Sequence, residues 1–359
     1  MCIRDSIRTL NGLREHLGLS IDARIRDKIT QSGEITDDII DKLKIDIKNV
    51  SPNPPEKKGL ARDLGESGGY YWLIDEFGIK YRMPVDSGHY YDIYQSPLAD
   101  ARTISDIENY LWPDPLDPTR FKGLREKAER TVKIEKKVCF LERMSAGMWE
   151  NAIWMMGYEK FFMDMLTNKK IIHAIMNKFL EIKMQYWQKA LDTAGENVSV
   201  VSTADDLGSK EGLLVSLDLY KTLIWPYHKK LFNFIKNKAK TKVHIFFHCD
   251  GAIKEAIPLL IEAGVDILNP VQVNCKGMDT GKLKKEFGDV LTFWGGSCDN
   301  NILSFGKPAE VKEETRRRIE DLAPGGGFIF APIHIIQSSV PPQNLLAWWE
   351  TLQEYGIYN

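Results

Sequence analysis

The stretch Lys242-Val243-His244-Ile245-Phe246-Phe247-His248-Cys249-Asp250-Gly251 packs an apolar strand, two histidines and a carboxylate into ten residues and then stops at glycine. Strand side chains alternate between faces, so His244, Phe246, His248 and Asp250 share one face while Ile245, Phe247 and Cys249 share the other. His248 and Asp250 are therefore neighbours. Ala252 to Ala263 follows as a helix broken or kinked near Pro258, and Gly264 opens a further strand, Val265-Asp266-Ile267-Leu268-Asn269-Pro270. The result is a strand, helix, strand unit whose polar residues gather where its first strand ends.

The same alternation runs through the second half of the chain. Strands are expected at Val138 to Glu142, Val198 to Thr203, Val243 to Phe247, Val265 to Leu268, Val290 to Trp294 and Phe328 to Pro332. Helical spacing separates them, at about Trp149 to Thr193, Leu217 to Lys240, Pro308 to Leu322 and Pro342 to Tyr355. Apolar strands alternating with helices signal a parallel sheet with helices outside it, and the expected fold is a distorted (β/α)8 TIM barrel. Six strands are clear, so the other two are expected from the aromatic run Tyr70 to Met83, which reads as a hairpin turning near Glu76 to Gly78, or from misread pieces. Residues 7 to about 48 carry helical spacing with mixed charge. They are expected as a small N-terminal helical extension, giving an extension and linker over 1–69 and the barrel over 70–359.

With 359 residues, 43% hydrophobic and 27% charged, the chain has the make-up of a globular enzyme with a large core. A formal net charge of -2 argues against a polyanion-binding surface, so nucleic acid is not an expected partner. Five cysteines, odd in number and without CxxC spacing, argue against a disulfide framework and fit a reducing, cytoplasmic location. No apolar run reaches the roughly 20 residues of a membrane span, and the start lacks a signal-peptide core. Met1-Cys2-Ile3-Arg4-Asp5-Ser6 resembles the artefactual leader of some assembled reading frames, so Cys2 stands outside the site.

In barrels the chemistry sits at the C-terminal ends of the strands. Those ends carry Glu142 and Arg143, Asp205 and Asp206, His248 and Asp250, Gln272 and Asn274, Cys298 and Asp299, and His334. Carboxylates, imidazoles, an amide and a thiol converging from six strands make the composition of a metal or acid/base site. Bland readings stand beside these. An aspartate after a strand is more often a helix N-cap than a catalyst, Glu142 and Arg143 can be an ion pair, and His244 suits a hydrogen-bonded core position. Cys249 faces the helix layer and reads as a buried structural thiol. Two ligands two residues apart on one strand, with a third from another strand, make a facial set with a position left open, which His248, Asp250 and His334 satisfy.

Several segments resemble the uroporphyrinogen decarboxylase superfamily from about residue 70 to the end. They include Asp75-Glu76-Phe77-Gly78, Ser96-Pro97-Leu98-Ala99, Asp205-Asp206-Leu207-Gly208, His248-Cys249-Asp250-Gly251, Gly264 to Gln272, Leu283 to Gly288, Phe293-Trp294-Gly295-Gly296 and Val340-Pro341-Pro342-Gln343-Asn344. The superfamily's distorted (β/α)8 barrels include zinc-dependent methylcobamide:thiol methyltransferases. That branch binds zinc through His-x-Cys followed by glycine and a later cysteine ten residues before an asparagine. On this chain those positions are His248, Asp250 and His334, the last being ten residues before Asn344. The first ligand is kept, and two thiolates are replaced by a carboxylate and an imidazole, which hardens the site: zinc stays in range, and iron, manganese and cobalt enter it.

The resemblance implies a metal-dependent methyltransferase moving methyl between a corrinoid or methylated small molecule and a small acceptor, with a corrinoid protein as expected partner. His248, Asp250 and His334 would hold a divalent ion, zinc by analogy. Asp205 and Asp206 would orient substrate or a water on the ion, and Arg82, Glu142, Arg143, Gln272 and Asp299 would bind substrate. The decarboxylase branch carries an arginine-rich N-terminal segment for its polycarboxylate substrate, which has no counterpart here, and Asp92-Ile93-Tyr94 only loosely matches that branch's central carboxylate segment. Two alternatives remain: decarboxylation of a tetrapyrrole or small acid without metal, and a corrinoid- or tetrapyrrole-binding module without catalysis. A homodimer is compatible with the resemblance, although Trp348 and Trp349 suit a core helix as well as an interface.

Overall fold

The computed structural model describes residues 6–56 and 59–357, so most of the leader-like start, Met1 to Asp5 with Cys2, lies outside the described residues. Its centre is a seven-stranded, all-parallel sheet. In spatial order the strands are Ile47–Val50, Val138–Leu141, Val200–Ala204, His244–His248, Ile267–Asn269, Thr292–Trp294 and Phe328–Ile329. Inward residues from successive strands, among them Ile47, Phe140, Phe246, Ile267 and Trp294, meet in one cluster, which requires the sheet to be rolled. On the other face Ile245, Phe247 and Cys249 are fully buried beneath helices. The fold is the expected distorted (β/α)8 barrel, with seven parallel strands in its sheet among the described residues.

All six strands expected after residue 137 are present. The seventh is not where it was expected. The aromatic run does form a hairpin, Tyr70–Ile74 against Lys80–Pro84, but this joins Arg62–Ser67 and Asp92–Gln95 in a separate four-stranded antiparallel sheet. Alternation marks a strand's two faces and says nothing about its partner, and short turns favour local antiparallel pairing. The barrel strand comes instead from Ile47–Val50, inside and just beyond the stretch expected to be helical, with Ile47 opposite Val138 and Val50 opposite Leu141. The extension is thus helical at Ile7–His16 and Asp37–Lys42 and also supplies a wall of the barrel.

Helices cover the sheet where apolar residues recur at helical spacing. The 26-residue helix Lys169–Ala194 buries Ile172, Ile175, Met176 and Phe179 along one stripe. The expected break at Pro258 is the start of a helix: a 3-10 turn at Lys254–Ala256 leads into Ile257–Ala263 with proline in its first turn, where its missing N–H leaves nothing unpaired. Helix Pro342–Tyr355 packs inward, with Trp348 fully buried and stacked on Phe330 at 4.5 Å between ring centroids. Trp348 is therefore a core residue.

Two glycines bring the strand-end loops together. Gly251 has φ of +101°, and a Cβ there would lie 2.4 Å from the Gly208 backbone carbon, so only glycine lets the loops after Ala204 and His248 touch. At Gly147 a Cβ would lie 1.7 Å from the Ala204 carbonyl oxygen.

Candidate metal centre

His248 ends its strand facing the barrel axis, as the alternation requires, and opens on a cavity of about 50 Å³. Asn269, at the end of the adjacent strand, fixes the imidazole. Its Nδ2 donates to the Trp294 carbonyl at 2.9 Å, which leaves Oδ1 facing His248 Nδ1 at 2.7 Å. Since Oδ1 can only accept, Nδ1 carries the proton and Nε2 is left as the available nitrogen.

Asp250 lies two residues on, in the turn made by Gly251. Its backbone N–H donates to Asp206 Oδ1 at 2.8 Å, and the Gly251 N–H donates to Gln272 Oε1 at 2.6 Å, so two side chains hold this turn from neighbouring loops. His334 follows the last strand and brings Nε2 to 3.6 Å from Asp250 Oδ2. The His248 and His334 ring centroids are 6.0 Å apart. One ligand atom from each of the three residues lies within 4.8 Å of the others. Ligands bonded to one zinc at about 2.0–2.2 Å stand roughly 3–4 Å apart, so modest side-chain rotation closes the set. The fit is supported by Asp250 Oδ1, which is buried without a hydrogen-bond partner. A buried carboxylate oxygen left in that state costs free energy unless a cation meets it.

The other expected site residues divide. Glu142 and Arg143 line the cavity, whereas Asp206 and Gln272 support the Asp250 turn from behind. Asp205 does not line this cavity. It is 1% exposed, and its carboxylate accepts from the Met148 and Glu150 backbone amides and pairs with His228 Nε2 at 2.7 Å. It therefore anchors the start of the helix Met148–Met156. Asp299 is the N-cap of Asn300–Phe305, accepting from the Asn301 amide at 2.7 Å. Arg82 sits on the separate antiparallel sheet, its guanidinium 4.8 Å from the Tyr70 ring and 4.9 Å from the Tyr94 ring. Cys249 is a fully buried thiol whose sulfur accepts from the Leu207 amide, and burial pushes its pKa up.

Three residues in or behind the site carried no signal in the sequence. Asn269 was read only as a strand residue. Glu150 lies in a helix, its carboxyl held well above the ordinary carboxylate range by burial and then by Asp206 and Asp205. Lys183 is buried in the long helix and donates to the Met144 and Ala146 carbonyls of the loop carrying Arg143; burial, then the Arg143 charge, pushes it down to about 7.

The uroporphyrinogen decarboxylase (URO-D) family model matches residues 73–355. The chain belongs to the uroporphyrinogen decarboxylase family. Among curated members of that family, the uroporphyrinogen decarboxylase of Geobacter metallireducens is 24% identical over 269 residues, 71% of this chain and 70% of that protein. The uroporphyrinogen decarboxylase of Geotalea uraniireducens is 24% identical over 186 residues, 51% of this chain, and the match spans about half of that relative's length, 48%. A methyltransferase from Methanosarcina mazei shares the family fold along nearly the whole chain, covering 98% of this chain and 100% of its own, with a TM-score of 0.62 at 14% identity. The family match begins at residue 73, after the Ile47–Val50 strand. Among the described residues no helix is long and apolar enough to cross a membrane.

Proposed function

We propose that this family member is a metal-dependent methyltransferase, moving a methyl group between a corrinoid or methylated small molecule and a small acceptor. The observation that carries this reading is the gathering of His248, Asp250 and His334 round one point, with a buried Asp250 oxygen lacking any other partner. Two imidazoles and one carboxylate form a harder set than thiolates, suited to zinc and also to iron, manganese or cobalt. A divalent ion held there would supply Lewis acidity, lowering the pKa of the acceptor group beside it. The chain's own residues do the rest. Asn269 holds His248 in the ligating tautomer, Asp206 and Gln272 fix the Asp250 turn, and Phe140, Phe246 and Trp294 make an apolar floor that excludes water. A corrinoid protein is the partner this reading calls for.

The rival reading is metal-free decarboxylation, with His334 or an aspartate as proton donor. The cavity volume of about 50 Å³ has room for roughly four waters, which favours a small substrate over a tetrapyrrole at this point. Elemental analysis of freshly purified protein, with His248→Ala alongside, tests the choice. Near-stoichiometric metal lost in the variant, together with methylcobalamin demethylation abolished by chelator, supports methyl transfer. Metal-free protein that decarboxylates small acids in chelator overturns it. Spectral binding of cobalamin without turnover would identify a binding module.

A further inference from the structure

Arg143 lines the same cavity as His248 and His334. Arg143 stands there with Nη1 donating to Ser202 Oγ at 2.7 Å, while its Nε is buried and has no hydrogen-bond partner. The guanidinium edge not used by Ser202 is the one formed by Nε and Nη2, whose parallel N–H bonds match the two oxygens of a carboxylate. Carboxyls of the chain that could compete are otherwise engaged. Glu142 bonds Arg26 at 3.2 Å, and Glu150, which senses the Arg143 charge, is biased by burial towards its neutral form. Below this edge lie Phe140, Phe246 and Trp294, packed edge-on with ring centroids 4.8–5.3 Å apart. A cationic fork, an aromatic floor and the His248 cluster share one small space.

We propose that Arg143 anchors the carboxylate of a small organic acid whose short apolar body rests on Phe140, Phe246 and Trp294 and whose far end reaches the His248, Asp250 and His334 cluster. The inference deepens the methyl-transfer reading by naming the substrate class. It rests on that reading for what happens to the acid, while the anchoring itself needs no ion. An amide or ester of the same shape offers the fork one neutral acceptor oxygen in place of two charged ones, so the site discriminates against it.

The test uses the whole chain after chelator treatment, so that binding to a metal cannot be mistaken for binding to Arg143. Saturation-transfer NMR and thermal shift would compare butyrate with butyramide, methanesulfonate and inorganic phosphate. Butyrate is expected to bind at least about tenfold more tightly than butyramide and the two other anions, and Arg143→Gln to lose about tenfold in butyrate affinity while Arg82→Gln, on the separate antiparallel sheet, keeps it. Arg143→Lys, which retains the charge and loses the fork, should fall below the unaltered protein, with circular dichroism reporting whether each variant folds. Should Arg143→Gln fail to fold, the comparison of acid and amide on the unaltered chain decides. Equal binding of butyrate and butyramide, an Arg143→Gln protein that binds butyrate normally, or phosphate and sulfonate binding as well as butyrate would each overturn the proposal. Metal content of untreated protein, measured separately, shows whether the metal reading fails independently.

Discussion

Two groups of aspartate, histidine and a cation gather around loops that follow strands of one sheet, and they differ in what is left unsatisfied. Behind the sheet, Asp205 accepts from two amides and pairs with His228, whose other nitrogen meets the Tyr220 hydroxyl at 3.0 Å. Lys183 nearby is bonded to two carbonyls. In the other group, beside His248, Asp250 Oδ1 and Arg143 Nε have no partner. Both places hold an aspartate, a histidine and a basic side chain. The first group is a closed network that fixes a helix and a loop, and the second keeps capacity for something the chain does not contain.

If that contrast holds, Asp205→Ala gives the largest loss of stability, about 3–5 kcal/mol in urea unfolding, because it strands two amides and a buried imidazole. Asp250→Asn should leave the metal-free protein within about 1 kcal/mol of the parent, since no internal hydrogen bond to the side chain is removed. Equal costs at the two aspartates would erase the distinction. Next in size, His248→Ala, His334→Ala and Asp250→Asn should each weaken metal retention beyond the about 10–100-fold typical of an outer-shell change, read by elemental analysis after dialysis. Asn269→Leu, which frees the His248 tautomer, should fall within that 10–100-fold range. A variant of Asn269 that binds metal normally would show that the hydrogen bond at Nδ1 is incidental.

The effect that belongs to Lys183 is read as a slope against pH and not as a single loss. Its folded pKa is lowered to about 7 from an ordinary 10.5, so between those values the unfolded chain holds a proton that the folded chain lacks. Stability from this group therefore rises as pH increases from 7 to 10.5, by at most about 1.4 kcal/mol per pH unit, and is lowest below pH 7. Lys183→Met should remove that part of the slope in unfolding curves collected across the window.

What the sequence made legible follows from local rules. Alternation placed His248 and Asp250 inward and Cys249 outward, and barrel logic pointed to His334 as their neighbour, because each inference needs only strand period and strand end. The role of Asp205 was hidden because the helix it anchors begins 57 residues earlier, at Met148, and no spacing rule reaches that far. The anchoring is real, but the helix is not the one that follows. Glu150 carries no local mark of its burial, and the Ile47–Val50 strand begins inside the stretch expected to be helical because apolar residues three apart, Ile47 and Val50, suit both periods over so short a run. Arg82 was misplaced along with its hairpin.

The Ile47–Val50 strand has a practical outcome for anyone trimming the gene. A shortened protein starting near residue 70, where sequence likeness to the family sets in, would discard Asn49 from the cavity wall and bare the hydrogen-bonding edge of Val138–Leu141. Such a fragment should precipitate or pair edge to edge instead of yielding a minimal catalyst.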